Sequence, residues 1–259
     1  MSSTHPVRPQ AQAHSRNRGR RFVNAVLTGV GELLITSGLV IALFLAWQLW
    51  WTGIDASASA AAATTSFERT QVDSPKEEGT RHYEDPPAVE PVGNGQTIGM
   101  LIVPKWYGVT NNNMPVIEGT GSAVLDQAAA GHYPETQQVG EVGNFAVAAH
   151  RRTYGNSFRR IDLLEEGDEV IVSTADTWYV YTVTSHEIVM PDQVEVLAPV
   201  PGDLTAIPTT AMLTMTTCHG ETTGEWGNDR RWIVHAELSY WMDRSEGRPA
   251  SVLNDSEVN

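Results

Sequence analysis

An all-β domain, either a closed barrel or a sandwich, is the fold class predicted for most of this 259-residue chain. Two observations predict it. Between about residues 97 and 242, short runs of β-branched and aromatic residues recur, separated by turn residues. The one long apolar run stands outside that region, near the N-terminus, and no internal repeat is present.

The strand-like runs are Ile98–Val103, Asn144–His150, Glu169–Ser173, Trp178–Val189, Ala211–Thr217 and Arg231–Tyr240. A helical stretch, Ser122–Ala130, interrupts them, and RRIDLLEEGD (159–168) reads as a short helical turn. With 41% hydrophobic residues, the domain can close around a core. The single cysteine excludes a disulfide framework and a cysteine-based zinc site. A net charge of −14 argues against nucleic acid as a partner.

The charge is unevenly spread. Residues 1–23, a basic tail, carry five arginines (Arg8, Arg16, Arg18, Arg20, Arg21) and no acid. Residues 24–54 then form an anchor whose charge-free core, Leu33 to Ile54, has 22 residues. As a helix this core spans roughly 33 Å, enough for a hydrocarbon layer of about 30 Å. The arginines before it place the N-terminus in the cytoplasm and the rest of the chain outside the cell membrane. Trp47, Trp50 and Trp51 belong at the outer interface. Ala56-Ser57-Ala58 resembles a cleavage site, but the run exceeds the 7–15 residues or so of an export signal, which favours an uncleaved signal-anchor. Residues 55–96 read as an extended stalk, rich in Pro, Gly and acid in their second half, and 243–259 as a disordered tail. On either reading of the anchor, the lone cysteine is exported with no intrachain partner, which calls for a reason.

That reason lies in the basic residues. Residues 97–242 hold 18 acids and only seven bases. Arg151, Arg152, Arg159 and Arg160 follow His150, and Arg230 and Arg231 follow Cys218. A thiolate forms best where cations favour the charged form. Pairing of these arginines with surface acids such as those of EEGDE is the plainer alternative. Strand parity sharpens the choice. In NFAVAAH, His150 shares a face with Ala146 and Ala148, opposite the bulky Phe145 and Val147. In AMLTMTTC, Cys218 shares a face with Thr214 and Thr216, opposite Leu213 and Met215. In RWIVHAEL, Arg231 lies opposite the apolar side, so parity prefers it to Arg230. His219 points away from Cys218 by the same rule. His132 and His235 read as structural, and His82 and His186 have no partner by spacing. Tyr154 and Trp178 are packing or groove wall. No HExxH or CxxC pattern is present, so neither a metal nor a cofactor is expected.

The order His, Cys, Arg differs from papain-like proteases, and the caspase context is missing. The segments HRRTYGNSFRRIDLLEEGDEV, TMTTCHG and RRWIVHAEL resemble the three signature segments of sortases. GHYPETQQVGEVGNFAVAAH is similar to the class E, housekeeping-type actinobacterial group. The resemblance covers roughly 97–241 and implies an eight-stranded sortase-type β-barrel with short helices. It implies Cys218 as nucleophile, His150 as acid/base and Arg231 as oxyanion donor in a transpeptidase. The enzyme would cleave a C-terminal LPxTG-type signal, LAxTG in class E, between Thr and Gly. It would join the protein to an amine of a cell-wall peptidoglycan precursor, anchored in lipid through 33–54. Three departures stand out: Ala149 where glycine often precedes the histidine, Gly220 in place of a common proline, and a long Cys218–Arg231 loop containing Trp226. A thiol peptide hydrolase and a non-catalytic tethered binding module remain as alternatives.

Overall fold

The computed structural model describes residues 15–222, 224, 227–256 and 258, with side chains at 15–18, 48–50 and 52 excluded. Expectations resting on the side chains of Arg8, Arg16, Arg18, Trp50 and Trp226 lie outside what is described. The chain divides at Trp51/Thr52 into two compact units. Helix α1, Ser15–Glu68, runs through that boundary.

In the first unit, Gly19–Trp47 is long and apolar enough to cross a membrane, and none of its apolar window is buried by protein. Leu39, Ile41 and Phe44 are more than half exposed, as side chains meant for lipid rather than for a protein core would be. Trp47 and Trp51, one turn apart, stack at 5.9 Å.

The second unit is a closed barrel of eight strands. They are β1 (Thr97–Ile102), β2 (Asn113–Glu118), β3 (Ala130–His132), β4 (Gly143–Ala148), β5 (Glu169–Ser173), β6 (Thr177–Val189), β7 (Ala211–His219) and β8 (Arg230–Asp243). Around the barrel they run β1-β2-β3-β4-β7-β8-β6-β5, and β5 closes on β1. Two pairs are parallel, β2 with β3 and β4 with β7; the rest are antiparallel. A four-residue helix α2, Ser122–Leu125, precedes β3, and a 3-10 turn at Ile161–Leu163 falls within RRIDLLEEGD.

The interior holds the residues that strand parity assigns to it. Phe145 and Val147 of β4, Leu213 and Met215 of β7, and Val234 and Ala236 of β8 lie in one buried cluster. Burying each of the larger ones stabilises the fold by about 1.5–3 kcal/mol. The opposite face of these strands is covered as well. The β6–β7 connection lays Val196 against Val189 and Ile233. Asn144, wholly buried, donates from Nδ2 to the carbonyls of Val196 (3.2 Å) and Ala198 (3.1 Å) and accepts from Thr214 Oγ1 at 2.7 Å. This face is therefore no open groove along its length: Thr214 and Thr216 are buried, and exposure begins at Cys218.

Two expectations about the flanks are corrected. Residues 69–96 are not a free stalk but a strap bound to the barrel through its backbone. Val72 N donates to Ala175 O (2.7 Å), and His82 and Trp241 exchange backbone hydrogen bonds at 2.9 and 3.0 Å. Tyr179 OH donates to Pro87 O at 2.9 Å. His82, without a partner by spacing, stacks on Trp241 at 4.3 Å between Glu84 and Glu246. Residues 243–256 are likewise ordered by packing. Val252 joins the buried cluster around Trp178 and Met242, and buried Asp255 accepts from Asn112 Nδ2. Arg244 is the clasp. Its guanidinium lies 4.3 Å over the Trp178 ring and donates to Ser173 Oγ (2.6 Å), Val72 O (3.1 Å) and Gln71 Oε1 (3.4 Å). Burial pushes its pKa down to about 10.

Candidate active site

Three strand ends meet at the place where the outer face becomes accessible. In the parallel β4–β7 pair, Gly143 aligns with Ala211 and Ala148 with Thr216. The same offset continues past the strand end, where Ala149 N donates to Thr216 O at 3.2 Å and Thr217 Oγ1 to Ala149 O at 2.7 Å. Counted on from there, the same offset would bring His150 level with Cys218. In the antiparallel β7–β8 pair, Cys218 stands directly across from Arg231. Cys218 and Arg231 thus stand side by side on adjacent strands, and His150 follows the end of β4, the strand on the other flank of β7. Cys218 is partly exposed, and the His150 side chain is 27% exposed.

The β7–β8 ladder answers the Arg230/Arg231 question of orientation. Arg230 pairs with His219 in the ladder, on the other face, and its Nε lies 2.7 Å from Glu221 Oε2. Arg231 turns with Cys218, and its Nη1 donates to the carbonyls of Asn228 and Arg230, both at 2.9 Å. These bonds, to the β7–β8 loop and to the first residue of β8, brace the guanidinium beside Cys218's strand. A Cβ at Gly220 would collide with the Gly224 carbonyl, which accounts for glycine there in place of proline.

Pairing with acids explains several of the arginines. Arg160 approaches Asp162 at 3.8 Å, Arg151 approaches it at 3.5 Å, and Arg230 binds Glu221 and Asp229. Lys105, rather than an arginine, takes Glu165 and Asp168 of EEGDE. The electropositive clustering legible in the sequence is thus partly neutralised, and Arg231 is set apart by its register.

One residue of the site was not anticipated. Asp126, at the C-terminal end of α2, places Oδ1 2.9 Å from His150 Nε2. Tyr154 covers the same imidazole at 5.2 Å between ring centres. Tyr154, Gly155 and Asn156 all have positive φ (48°, 86° and 57°), a tight left-handed turn, and a Cβ on Gly155 would strike Ala128 Cβ. That close approach seats the loop after His150 on the loop that carries Asp126. The only hint in the sequence was the helical stretch beginning at Ser122.

Three other described histidines, His132, His235 and His219, have partners within the barrel. His132 is buried, stacked on Phe145 at 4.6 Å, with Nδ1 2.8 Å from Glu118 Oε2. His235 is buried between Thr214 Oγ1 (2.9 Å) and Glu187 Oε1 (3.2 Å), and burial lowers its pKa against the pull of Glu187. His219 points inward and its pKa is lowered by burial and then by Arg151 and Arg152. Trp178 is packing.

A partly exposed thiol, on a strand flanked by the two that lead to an imidazole and a guanidinium, has the groups that acyl transfer requires. Known proteins share the fold and the segments that carry these residues. The sortase domain matches residues 104–239. Sortase SrtE1 of Streptomyces coelicolor is 32% identical over 255 residues, covering 96% of this chain and 66% of that protein. The SrtA sortase from Actinomyces oris is 73% identical, with a TM-score of 0.66, over 68% of this chain and 98% of that structure. Sortase E1 from Streptomyces coelicolor, solved with a tripeptide in its active site, is 32% identical with a TM-score of 0.54, over 62% of this chain and 99% of that one. This chain belongs to the sortase family of cysteine transpeptidases, with class E members among its relatives.

Proposed function

We propose that this enzyme is a single-pass membrane transpeptidase that cleaves a C-terminal LPxTG or LAxTG signal between Thr and Gly and joins the protein to a peptidoglycan amine. The observation that supports the reading is the pairing of a partly exposed Cys218 with Arg231 across β7–β8, next to the strand whose end leads to His150.

In this reading the Cys218 thiolate attacks the threonine carbonyl. Arg231 donates hydrogen bonds to the oxygen as it gains negative charge, a fixed cation that needs no proton transfer. The carbon–nitrogen bond breaks, and His150 as imidazolium protonates the departing glycine amine. Asp126 accepts from Nε2–H and so leaves Nδ1 as the nitrogen that exchanges the proton. The acceptor amine then attacks the thioacyl carbon, gives its proton to His150, and expels the Cys218 thiolate. The basic N-terminal tail lies in the cytoplasm, 33–54 in the bilayer, and the barrel outside, where sorting-signal proteins and the acceptor amine meet it.

The test uses the full chain in detergent with LAxTG and LPxTG peptides, each with and without an amine acceptor. The expected product is an amine-dependent ligated peptide that disappears in Cys218→Ala. Cleavage without ligation would make the protein a thiol hydrolase. No cleavage, with Cys218 inert to a soluble alkylating agent, would leave a tethered binding module.

A further inference from the structure

Strand alternation turns the neighbour of each site residue to the opposite face. Arg151, His219 and Trp232 follow His150, Cys218 and Arg231 by one residue, and all three meet on the inner side of the barrel rim. Arg151 Nη1 donates to His219 Nδ1 at 2.7 Å, continuing the β4–β7 offset one residue beyond His150. Its Cζ lies 5.2 Å from the centre of the Trp232 ring, within cation–π range. His219 meets that ring edge-on, at 5.2 Å and 77°. Arg151 Nη2 reaches Asp162 Oδ1 at 3.5 Å, and only 10% of the side chain is exposed. One largely enclosed guanidinium therefore contacts the residue after the nucleophile and the residue after the oxyanion donor, and itself follows the acid/base.

The chemistry of the contact is demanding. A guanidinium has no lone pair, so His219 accepts at Nδ1 and carries its proton on Nε2. Burial and the charges of Arg151 and Arg152 lower the pKa of this imidazole, which favours the neutral acceptor the bond requires. A lysine could supply the charge but not the planar fork that bonds His219 and Asp162 while lying on Trp232.

We infer that Arg151 is a positioning residue: by clamping His219 and Trp232 it fixes the relative placement of His150, Cys218 and Arg231 without touching substrate. The inference rests on the catalytic reading above. Because the three site residues stand at separate strand ends, their spacing is set by what ties those ends together, and Arg151 is a side chain that reaches all three.

The test compares Arg151→Lys, Arg151→Gln, His219→Ala, His219→Asn and the Arg151→Gln/His219→Ala double variant, all as full-length protein in detergent. Three quantities are measured on each: kcat and KM with a sorting peptide and amine, the pH profile of Cys218 alkylation by iodoacetamide, and the thermal midpoint. Arg151→Gln is expected to lower kcat about 100-fold, the scale of a misplacement near 1 Å, with KM within about 3-fold. Arg151→Lys is expected to restore the alkylation profile but leave kcat at least about 10-fold down, because charge returns and the clamp does not. The double variant is expected to match Arg151→Gln within about 2-fold, as parts of one contact do. His219→Asn, whose amide oxygen accepts as Nδ1 does, is expected to recover most of what His219→Ala loses.

Full recovery of kcat by Arg151→Lys, or multiplicative losses in the double variant, would overturn the inference in favour of a plain charge effect. A fall in kcat matched by collapse of the thermal midpoint in every variant, His219→Asn included, would make Arg151 a folding residue only. Release of the glycine-containing fragment in a single turnover is scored separately. If the wild-type protein releases it but never ligates, the transpeptidase reading fails while the positioning inference is still decided by that release rate.

Discussion

Arg231→Ala, compared with Arg230→Ala, probes the central geometry. The two arginines are adjacent in sequence, yet the β7–β8 ladder sets them on opposite faces: Arg231 across from Cys218, Arg230 across from His219. Directly opposed residues have Cβ atoms about 4.5–5.5 Å apart, so the Arg231 guanidinium is within its own length of an oxyanion formed on Cys218. Removing one such donor costs about 10²–10³ in kcat, or roughly 2.7–4 kcal/mol of transition-state stabilisation. Arg230→Ala loses an ion pair whose acid, Glu221, is about half exposed, worth roughly 0.2–1 kcal/mol of stability and nothing in the chemical step. Arg231→Lys should fall between, since an ammonium keeps the charge and loses the fork. Steady-state kinetics with a sorting peptide and amine, alongside thermal melts, separate the outcomes. Equal loss from both alanine variants, or loss from Arg230→Ala alone, would refute the assignment by register.

Three further outcomes are expected. Asp126→Asn replaces an acceptor of the His150 proton with a group that can also donate; a wholly buried aspartate of this kind is worth about 10⁴ in kcat. Asp126 is 35% exposed, so the loss should be nearer 10–100-fold, read as kcat at constant KM, and an unchanged rate would remove Asp126 from the site. Arg244→Met should release the strap, costing about 2 kcal/mol because Ser173 and Val72 lose a charged donor while a desolvated cation is also removed. Urea unfolding gives that figure, and trypsin should cut faster at Arg69 and Lys76; unchanged cleavage would show that the strap is held elsewhere. Finally, acid should destabilise the barrel. His219 and His235 are harder to protonate folded than unfolded, so below about pH 6.5 the unfolded chain binds more protons. The stability they contribute is complete above that pH and drains as pH falls toward their folded values. A urea midpoint that rises between pH 7 and pH 5 would contradict the sign, and His219→Asn should flatten the slope.

What was legible in the sequence was whatever follows from alternation. Phe145, Val147, Leu213 and Met215 mark an inner face, and the same count turns His150, Cys218 and Arg231 outward together. Strands β2 and β3 were not legible. Pro115 sits inside NMPVIE, where its missing N–H is tolerated because the pairing with β3 begins only at Val116. AGH is too short to show a period. The strap and the C-terminal residues were misread because composition reports side chains, whereas His82 and Val72 are held through backbone groups that every residue carries. A single buried valine or arginine, such as Val252 or Arg244, is diluted over a 17-residue tail. Asp126 escaped because it lies 24 residues before its partner, in a stretch read only as helical, with no spacing to link the two.

The barrel's connectivity also accounts for the order in which the chemistry appears along the chain. Strands β4 and β7 are parallel neighbours, so both end at the same rim, and a histidine and a cysteine can face each other there only by closing their respective strands. Strand β8 is antiparallel to β7 and therefore begins at that rim, so its contribution must open the strand, as Arg231 does. A parallel β8 would carry its first residues to the far rim, and the guanidinium would have to come from the end of the strand. The same connectivity produces the inner layer. Any residue placed at the rim has a successor facing the other way, so a site built from three strand ends comes with three inward neighbours that must be filled. Here they are filled by an arginine, a histidine and a tryptophan that bind one another, where three aliphatic residues would have satisfied the core. The backbone ladder sets the register across the β4–β7 seam, and the Arg151–His219 hydrogen bond, which is directional, carries that offset one residue past His150.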